Sequence, residues 1–353
     1  MVKVSYIADR EISEHNSPYI IAEISANHNG NIQNAFKIID MAKRCGADAV
    51  KMQTYTPDTI TLNSKNEDFI IKEGLWKGRT LHQLYDWAHT PWDWHSKLFD
   101  YAQNAGITLF STPFDDTAVE LLEDLNAPAY KIASFECTDV NLVKRVALTK
   151  KPLIISTGMA NAEEIQGAVD TALEFGTGEL TLLHCVSGYP ARSDEYNLLT
   201  LLDMKKRYGV NVGLSDHTLN NTTAITAVAL GAVMIEKHVT LDRNAGGPDD
   251  SFSIEEEGLM ELCSSIKTAW QSLGKINYER TASEKNNVKF RRSLYFVRSL
   301  RAGDTITKND IRSVRPGYGL APKFFDQLLG TQVLKSVDEN TPVTIETVGL
   351  LKE

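Results

Sequence analysis

The chain has 353 residues, of which 42% are hydrophobic, and a formal net charge of −9. That length and apolar content suffice for one large core and a smaller second one. The acidic balance excludes a nucleic-acid partner, which requires an extended positive field, and no apolar run approaches the roughly 20 residues of a membrane helix.

Short β-prone apolar runs recur along most of the sequence: YIIAEI (19–24), AVKMQT (49–54), TLFSTP (108–113), AYKIAS (129–134), LIISTG (153–158), LTLLHCV (180–186), NVGLSD (211–216) and VMIEKH (233–238). Amphipathic segments such as NAFKIIDMAKRC and NLVKRVALTK lie between them, and several close on a helix-stopping residue in CGA, AGI, FGT, YGV, LGA or LNA. This alternation predicts parallel α/β units. Eight runs favour a closed (β/α)8 TIM barrel over an open doubly wound sheet, and no GxGxxG or Walker-type loop follows any of them to support nucleotide binding.

Residues 55–107 form a long excursion after the second run, with Trp76, Trp87, Trp92 and Trp94 beside Tyr55, Phe69 and Tyr85. Such aromatics either line a substrate mouth or pack an extra helix on the barrel. The barrel is expected over 1–275, a polar linker over 276–288, and a small β-rich domain over 289–353. Cys45, Cys137, Cys185 and Cys263 show no ligand spacing and read as buried small hydrophobes. The N-terminal MVKVSYIADREISEH lacks the pattern of a processed leader, so a cytoplasmic location is expected.

Barrel chemistry sits at the C-terminal strand ends, and here nearly every run ends in groups that bind or transfer protons. These are Glu23 and Ser25, Lys51 and Gln53, Ser111 and Thr112, Lys131 and Ser134, Ser156 and Thr157, Ser187, Ser215 through His217, and Glu236 with His238. Some of the hydroxyls are helix caps. The seventh and eighth strands are neighbours, which sets His217 beside His238. Two neutral imidazoles near carboxylates can hold a borderline divalent cation with an open coordination sphere; the alternative is that each bonds locally. Lys51 and Lys131, inside apolar strands, need a counter-charge. It is either a carboxylate such as Glu23 or Glu136, or a bound phosphate held also by Thr112, Ser134, Ser156 and Ser215. A Schiff-base lysine is a third possibility, and a non-enzymatic sugar-binding protein a further class.

The motifs IIAEISANHNG, KMQTYTPD, FSTPFD, AYKIASFE, IISTGM, LLHCVSGYP, GLSDHT, IEKHVT and RPGYG, in this order, resemble the sialic acid synthase family, which joins phosphoenolpyruvate to an N-acetylated amino sugar. SANHNG, QTYTPDTITLNS, EDFIIKEGLW and RPGYGLAPKFFDQLLG are most similar to its pseudaminic-acid branch, whose substrate is a 2,4-diacetamido-2,4,6-trideoxy-altrose; legionaminic and N-acetylneuraminic acid synthesis are the alternatives. Ser187 stands where the N-acetylneuraminate enzymes carry Asn.

The resemblance implies that Lys51, Thr112, Lys131, Ser134, Ser156, Ser187 and Ser215 hold phosphoenolpyruvate. It implies Mn²⁺ or Mg²⁺ on His217 and His238, proton transfer by Glu23 with Glu136 and Glu236 supporting, and sugar contacts from Gln53, Tyr189 and Asp249. It also implies that the tail is an antifreeze-like (SAF) domain whose Arg315 enters a partner's mouth, in a domain-swapped homodimer.

Overall fold

The computed structural model describes residues 4–349, and the chain divides into two compact units, 1–274 and 275–353. In the first, a hairpin of β1 (Ser5–Ile7) and β2 (Arg10–Ile12) precedes eight parallel strands: β3 (Tyr19–Glu23), β4 (Ala49–Thr54), β5 (Thr108–Pro113), β6 (Tyr130–Ile132), β7 (Leu153–Ser156), β8 (Leu180–Cys185), β9 (Asn211–Asp216) and β10 (Met234–His238). They close in the order β10-β3-β4-β5-β6-β7-β8-β9. The expected run 129–134 pairs only over Tyr130–Ile132, because the backbone turns at Ala133, whose carbonyl accepts from Glu136 N.

The period-2 alternation of each strand divides the core in two. Outward residues such as Ile20, Val50, Leu109, Ile155, Leu182, Val212 and Ile235 join the helix layer. Inward residues Ile21, Ala49, Phe110, Ala129, Ile154, Leu183 and Met234 fill the lower barrel, and the hairpin's Ile7 and Ile12 share their cluster. Two positions further along the same strands, the inward residues are Glu23, Lys51, Thr112, Lys131, Ser156, Cys185 and Glu236. The barrel interior is therefore apolar below and ionic above.

Helix ends follow the expected signals with one exception. Gly46 (φ 89°) and Gly209 (φ 65°) end their helices in the left-handed region that glycine adopts freely, and Asn126 takes it at φ 53°. Gly176 instead leaves the helix Ala162–Phe175 at φ −95°. Of the two expectations for the excursion, packing against the barrel is met by Trp94, and the other tryptophans make individual contacts. Trp94 packs on the outer core, Trp92 Nε1 donates to the Tyr55 carbonyl, Trp87 lies under the Arg79 guanidinium, and Trp76 reaches the Pro248 carbonyl. No described helix is long and apolar enough to cross a membrane.

In the second unit, β11 (Ser293–Phe296) pairs antiparallel with β12 (Ile311–Val314) over a core of Leu294, Phe296, Ile306, Ile311, Leu328 and Val333. The remaining pairing among the described residues is by isolated bridges such as Leu300 with Val337 and Thr305 with Gln332. The unit has fewer regular strands than its alternating pattern predicts. Its turn segments take the backbone bonds: Asp310 is buried and accepts from Thr307 N at 2.7 Å. Residues 271–287 are exposed throughout.

Candidate active site

Parallel register places the upper inward residues side by side: Glu23 opposite Lys51, Gln53 opposite Thr112, Ser215 opposite Glu236 and His238 opposite Glu23. Lys51 Nζ lies 2.7 Å from Glu23 Oε2 and 3.8 Å from Glu236 Oε2, and it donates to Thr112 Oγ1 at 3.1 Å. Lys131 Nζ donates to Glu236 Oε1 at 3.2 Å, and Ser215 Oγ bonds the same oxygen. The lysines' counter-charge is thus Glu23 and Glu236. Glu136, the other carboxylate considered from sequence, forms no ion pair among the described residues; its Oε2 is buried without a hydrogen-bond partner.

This cluster perturbs its own titration. Burial, reinforced by the Glu236 charge, raises the Glu23 pKa although Lys51 opposes the shift. Glu236 moves the other way: burial would raise it, but Lys131 and Lys51 together hold it low. Two carboxylates therefore differ in role, one able to carry a proton near neutrality and one fixed as an anion. Burial lifts Glu136 to about 7. For Lys51, burial works downward, yet Glu23 and Glu236 override it and keep the ammonium charged; that disfavours it as a Schiff-base nucleophile. Burial lowers Lys131.

Next to Lys131 the chain builds a cradle of hydroxyls. Ser134 and Ser187 lie 3.0 Å apart, and Ser156 Oγ is buried without a partner. Gly158, at φ 47°, holds the loop against them. A Cβ there would stand 2.3 Å from Ser134 Cβ and 2.8 Å from Ser187 Oγ, so only glycine fits. An unpaired buried hydroxyl among neighbouring donors and an ammonium suits a many-oxygen anion.

The two imidazoles stand together, with ring centroids 5.3 Å apart. His217 Nδ1 donates to the Val186 carbonyl at 2.9 Å, which leaves its Nε2 lone pair free, and its backbone N–H bonds the Tyr196 hydroxyl at 2.8 Å. Burial lowers the pKa of both rings, and the neighbouring His217 pushes His238 down further. His238 Nδ1 is buried without a partner. Neutral, unsatisfied imidazoles beside anionic Glu236 fit a divalent cation. Among the described residues no group of three or more His, Cys, Asp or Glu could hold one unaided. The two histidines would be the protein's share, and water or substrate the remainder.

Behind this pair lies a brace that sequence reading missed. Lys237 and Asp216 point outward by the alternation that points Glu236 and His238 inward. Lys237 Nζ sits 2.6 Å from Asp216 Oδ2 and donates to the Thr218 and Asn220 carbonyls at 2.7 and 2.9 Å. Both side chains are fully buried. The signal was present as two adjacent charges, Glu-Lys, inside one buried strand.

Of the residues expected to meet a sugar, Gln53 Nε2 donates to Glu23 Oε1 at 3.3 Å and to Ser25 Oγ at 3.0 Å, and Ser25 in turn bonds Asp249. The Tyr189 ring covers His217, 4.6 Å between centroids. Arg315 belongs to the second unit, beside a cis bond to Pro316.

A closed parallel barrel with a buried ionic cluster, a hydroxyl cradle and paired imidazoles at its C-terminal mouth defines a TIM-barrel enzyme for an anionic substrate. The chain belongs to the NeuB family, which it matches over residues 38–278, and residues 291–348 match the SAF domain. It is 43% identical to a pseudaminic acid synthase of Campylobacter jejuni subsp. jejuni serotype O:23/36, over 91% of this chain and 93% of that protein. It is 34% identical to an N,N'-diacetyllegionaminic acid synthase of serotype O:2 of the same subspecies, over 91% of this chain and 97% of that protein. Among solved structures it resembles an N-acetylneuraminic acid synthetase from Leptospira borgpetersenii serovar Hardjo-bovis in complex with citrate, with a TM-score of 0.73 and 30% identity over 82% of this chain and 96% of that one.

Proposed function

We propose that the protein acts as a pseudaminic acid synthase, condensing phosphoenolpyruvate with 2,4-diacetamido-2,4,6-trideoxy-altrose and releasing phosphate. The juxtaposition that carries this reading is the Lys51–Lys131 cluster beside the Ser134, Ser156 and Ser187 cradle, within one mouth with the imidazole pair. Between sugars, 43% identity to a pseudaminic enzyme against 34% to a legionaminic one favours the former.

In this reading Lys51, Lys131 and the hydroxyls of Thr112, Ser134, Ser156, Ser187 and Ser215 bind the phosphate and carboxylate of phosphoenolpyruvate. Gln53, Tyr189 and Asp249 orient the open-chain sugar. Carbon 3 of the enol attacks the aldehyde carbon, water adds at carbon 2, and the intermediate expels phosphate by C–O cleavage. Glu23, with its raised pKa, moves the proton of the attacking water; anionic Glu236 pairs with both lysines, and Glu136 is a supporting carboxylate. His217 and His238 would hold Mn²⁺ or Mg²⁺, which would supply Lewis acidity toward the aldehyde.

The mouth is ringed by exposed apolar side chains on six different loops, Leu62, Phe135, Met159, Leu199, Leu219 and Leu241. That rim supports a homodimer in which a second copy covers it and lends Arg315 from a swapped SAF domain. A cytoplasmic location belongs to the same reading.

The test is phosphate release from phosphoenolpyruvate with the altrose substrate, its legionaminic counterpart and N-acetylmannosamine in turn. The altrose sugar is expected to give the highest kcat/KM by at least about tenfold; a preference for either other sugar overturns the assignment.

A further inference from the structure

The excursion after β4 returns Trp76 to the mouth. Among the solvent-exposed residues 72–79, Trp76 alone is half-buried. Its Nε1 donates to the Pro248 carbonyl at 2.9 Å, immediately before Asp249, and its ring lies 6.3 Å from that of Tyr189. Tyr189 stands 4.6 Å from His217 and 5.0 Å from Phe252, and Phe252 stands 5.3 Å from His238. An aromatic wall thus starts at the imidazole pair and ends at Trp76. Ser25, Gln53 and Asp249 supply the polar edge.

We propose that Trp76 is a specificity-determining residue that receives the C6 methyl group of the sugar, an inference that rests on the proposed function. With its aldehyde at the imidazoles, an open-chain six-carbon sugar runs along the wall and brings its far end to Trp76. There the one hydrogen-bonding group of the indole is already engaged by Pro248, so the indole offers the sugar's terminal carbon only its ring face. A methyl group gains from leaving water at such a surface. A hydroxyl would surrender its water without finding a partner. Discrimination of this kind, one polar group against an apolar wall, amounts to about 10- to 100-fold.

The experiment compares kcat/KM for the 2,4-diacetamido-2,4,6-trideoxy sugar and for its 6-hydroxy counterpart, which differ only at C6. The wild type is expected to prefer the 6-deoxy sugar by about 10- to 100-fold. Trp76→Ala lowers that ratio at least about tenfold through KM of the sugar, with the KM of phosphoenolpyruvate moving less than about twofold, and Trp76→Phe restores most of the preference because the ring is kept. Equal losses on both sugars in Trp76→Ala, or no recovery in a folded Trp76→Phe, overturn the assignment. A wild type that turns over neither diacetamido sugar while using N-acetylmannosamine overturns the proposed function itself, and this inference with it.

Discussion

Replacing Lys237 by Met leaves Asp216 as an uncompensated charge in a site where both side chains are fully buried. Breaking a buried ion pair from one side costs about 3–5 kcal/mol. Lys237→Met also strips the donor from the Thr218 and Asn220 carbonyls, 2.7 and 2.9 Å from Nζ, at about 1 kcal/mol each. The expected loss of about 5–7 kcal/mol is comparable with the whole stability of many domains. The double variant Lys237→Met with Asp216→Asn removes the charge and keeps an oxygen for the Thr218 N–H, now 2.9 Å from Asp216 Oδ1. It is expected to recover at least about 2 kcal/mol, the coupling of a charged pair in contact. All five tryptophans lie in the first unit, so thermal unfolding followed by their fluorescence reports the barrel alone. At about 2–4 °C per kcal/mol, Lys237→Met lowers that transition by at least about 10 °C. A double variant no more stable than Lys237→Met would refute the orphaned-charge reasoning, and a shift under about 2 °C for Lys237→Met would refute the brace itself.

Two further outcomes follow from the site. Gly158→Ala forces a Cβ within 2.3 Å of Ser134 Cβ at a left-handed backbone position, so it should raise the KM of phosphoenolpyruvate at least about tenfold while the KM of the sugar changes little; an unaltered phosphoenolpyruvate KM would show that the cradle does not bind the phosphate. Glu136, lifted by burial to about 7 from an ordinary 4.5, binds its proton more tightly folded than unfolded. Its stabilising contribution is therefore fully present below about pH 4.5 and lost as pH rises through about 7, on the order of 3 kcal/mol. Buried His28 and His95, lowered to about 4, slope the other way, so the measurement is the difference between wild type and Glu136→Gln across that range, which cancels them. A flat difference would contradict the burial of a carboxylic acid at this position.

The barrel and the ring of polar strand ends could be read from the sequence because both depend on local pattern. Period-2 alternation carried Glu23, Lys51, Lys131, Glu236 and His238 to one face, and strand adjacency brought His217 to His238. What could not be read depends on contacts between distant segments. Nothing local told whether the two lysines met a bound anion or protein carboxylates; register against β3 and β10 decided for Glu23 and Glu236. Trp76 finds Pro248 across 172 residues, and its neighbours in sequence give no hint of it. The Asp216–Lys237 brace is hidden because a charge at a strand end, such as Asp216, reads as part of the mouth, whereas alternation sends every second residue outward to the helix layer. The second unit reads as more regular than it is, since its turn residues take the hydrogen bonds that a strand would have shared.

We propose that His217 and His238 hold one divalent cation between them, beside the Lys51–Lys131 cluster proposed to bind phosphoenolpyruvate. Mn²⁺ binding, followed by titration calorimetry on chelator-stripped wild type, His217→Ala and His238→Ala, tests it most directly. One Mn²⁺ per chain is expected for wild type, and an affinity at least about 100-fold weaker for each variant, with unfolding temperatures held within a few degrees. Wild-type affinity in either folded variant would contradict the account.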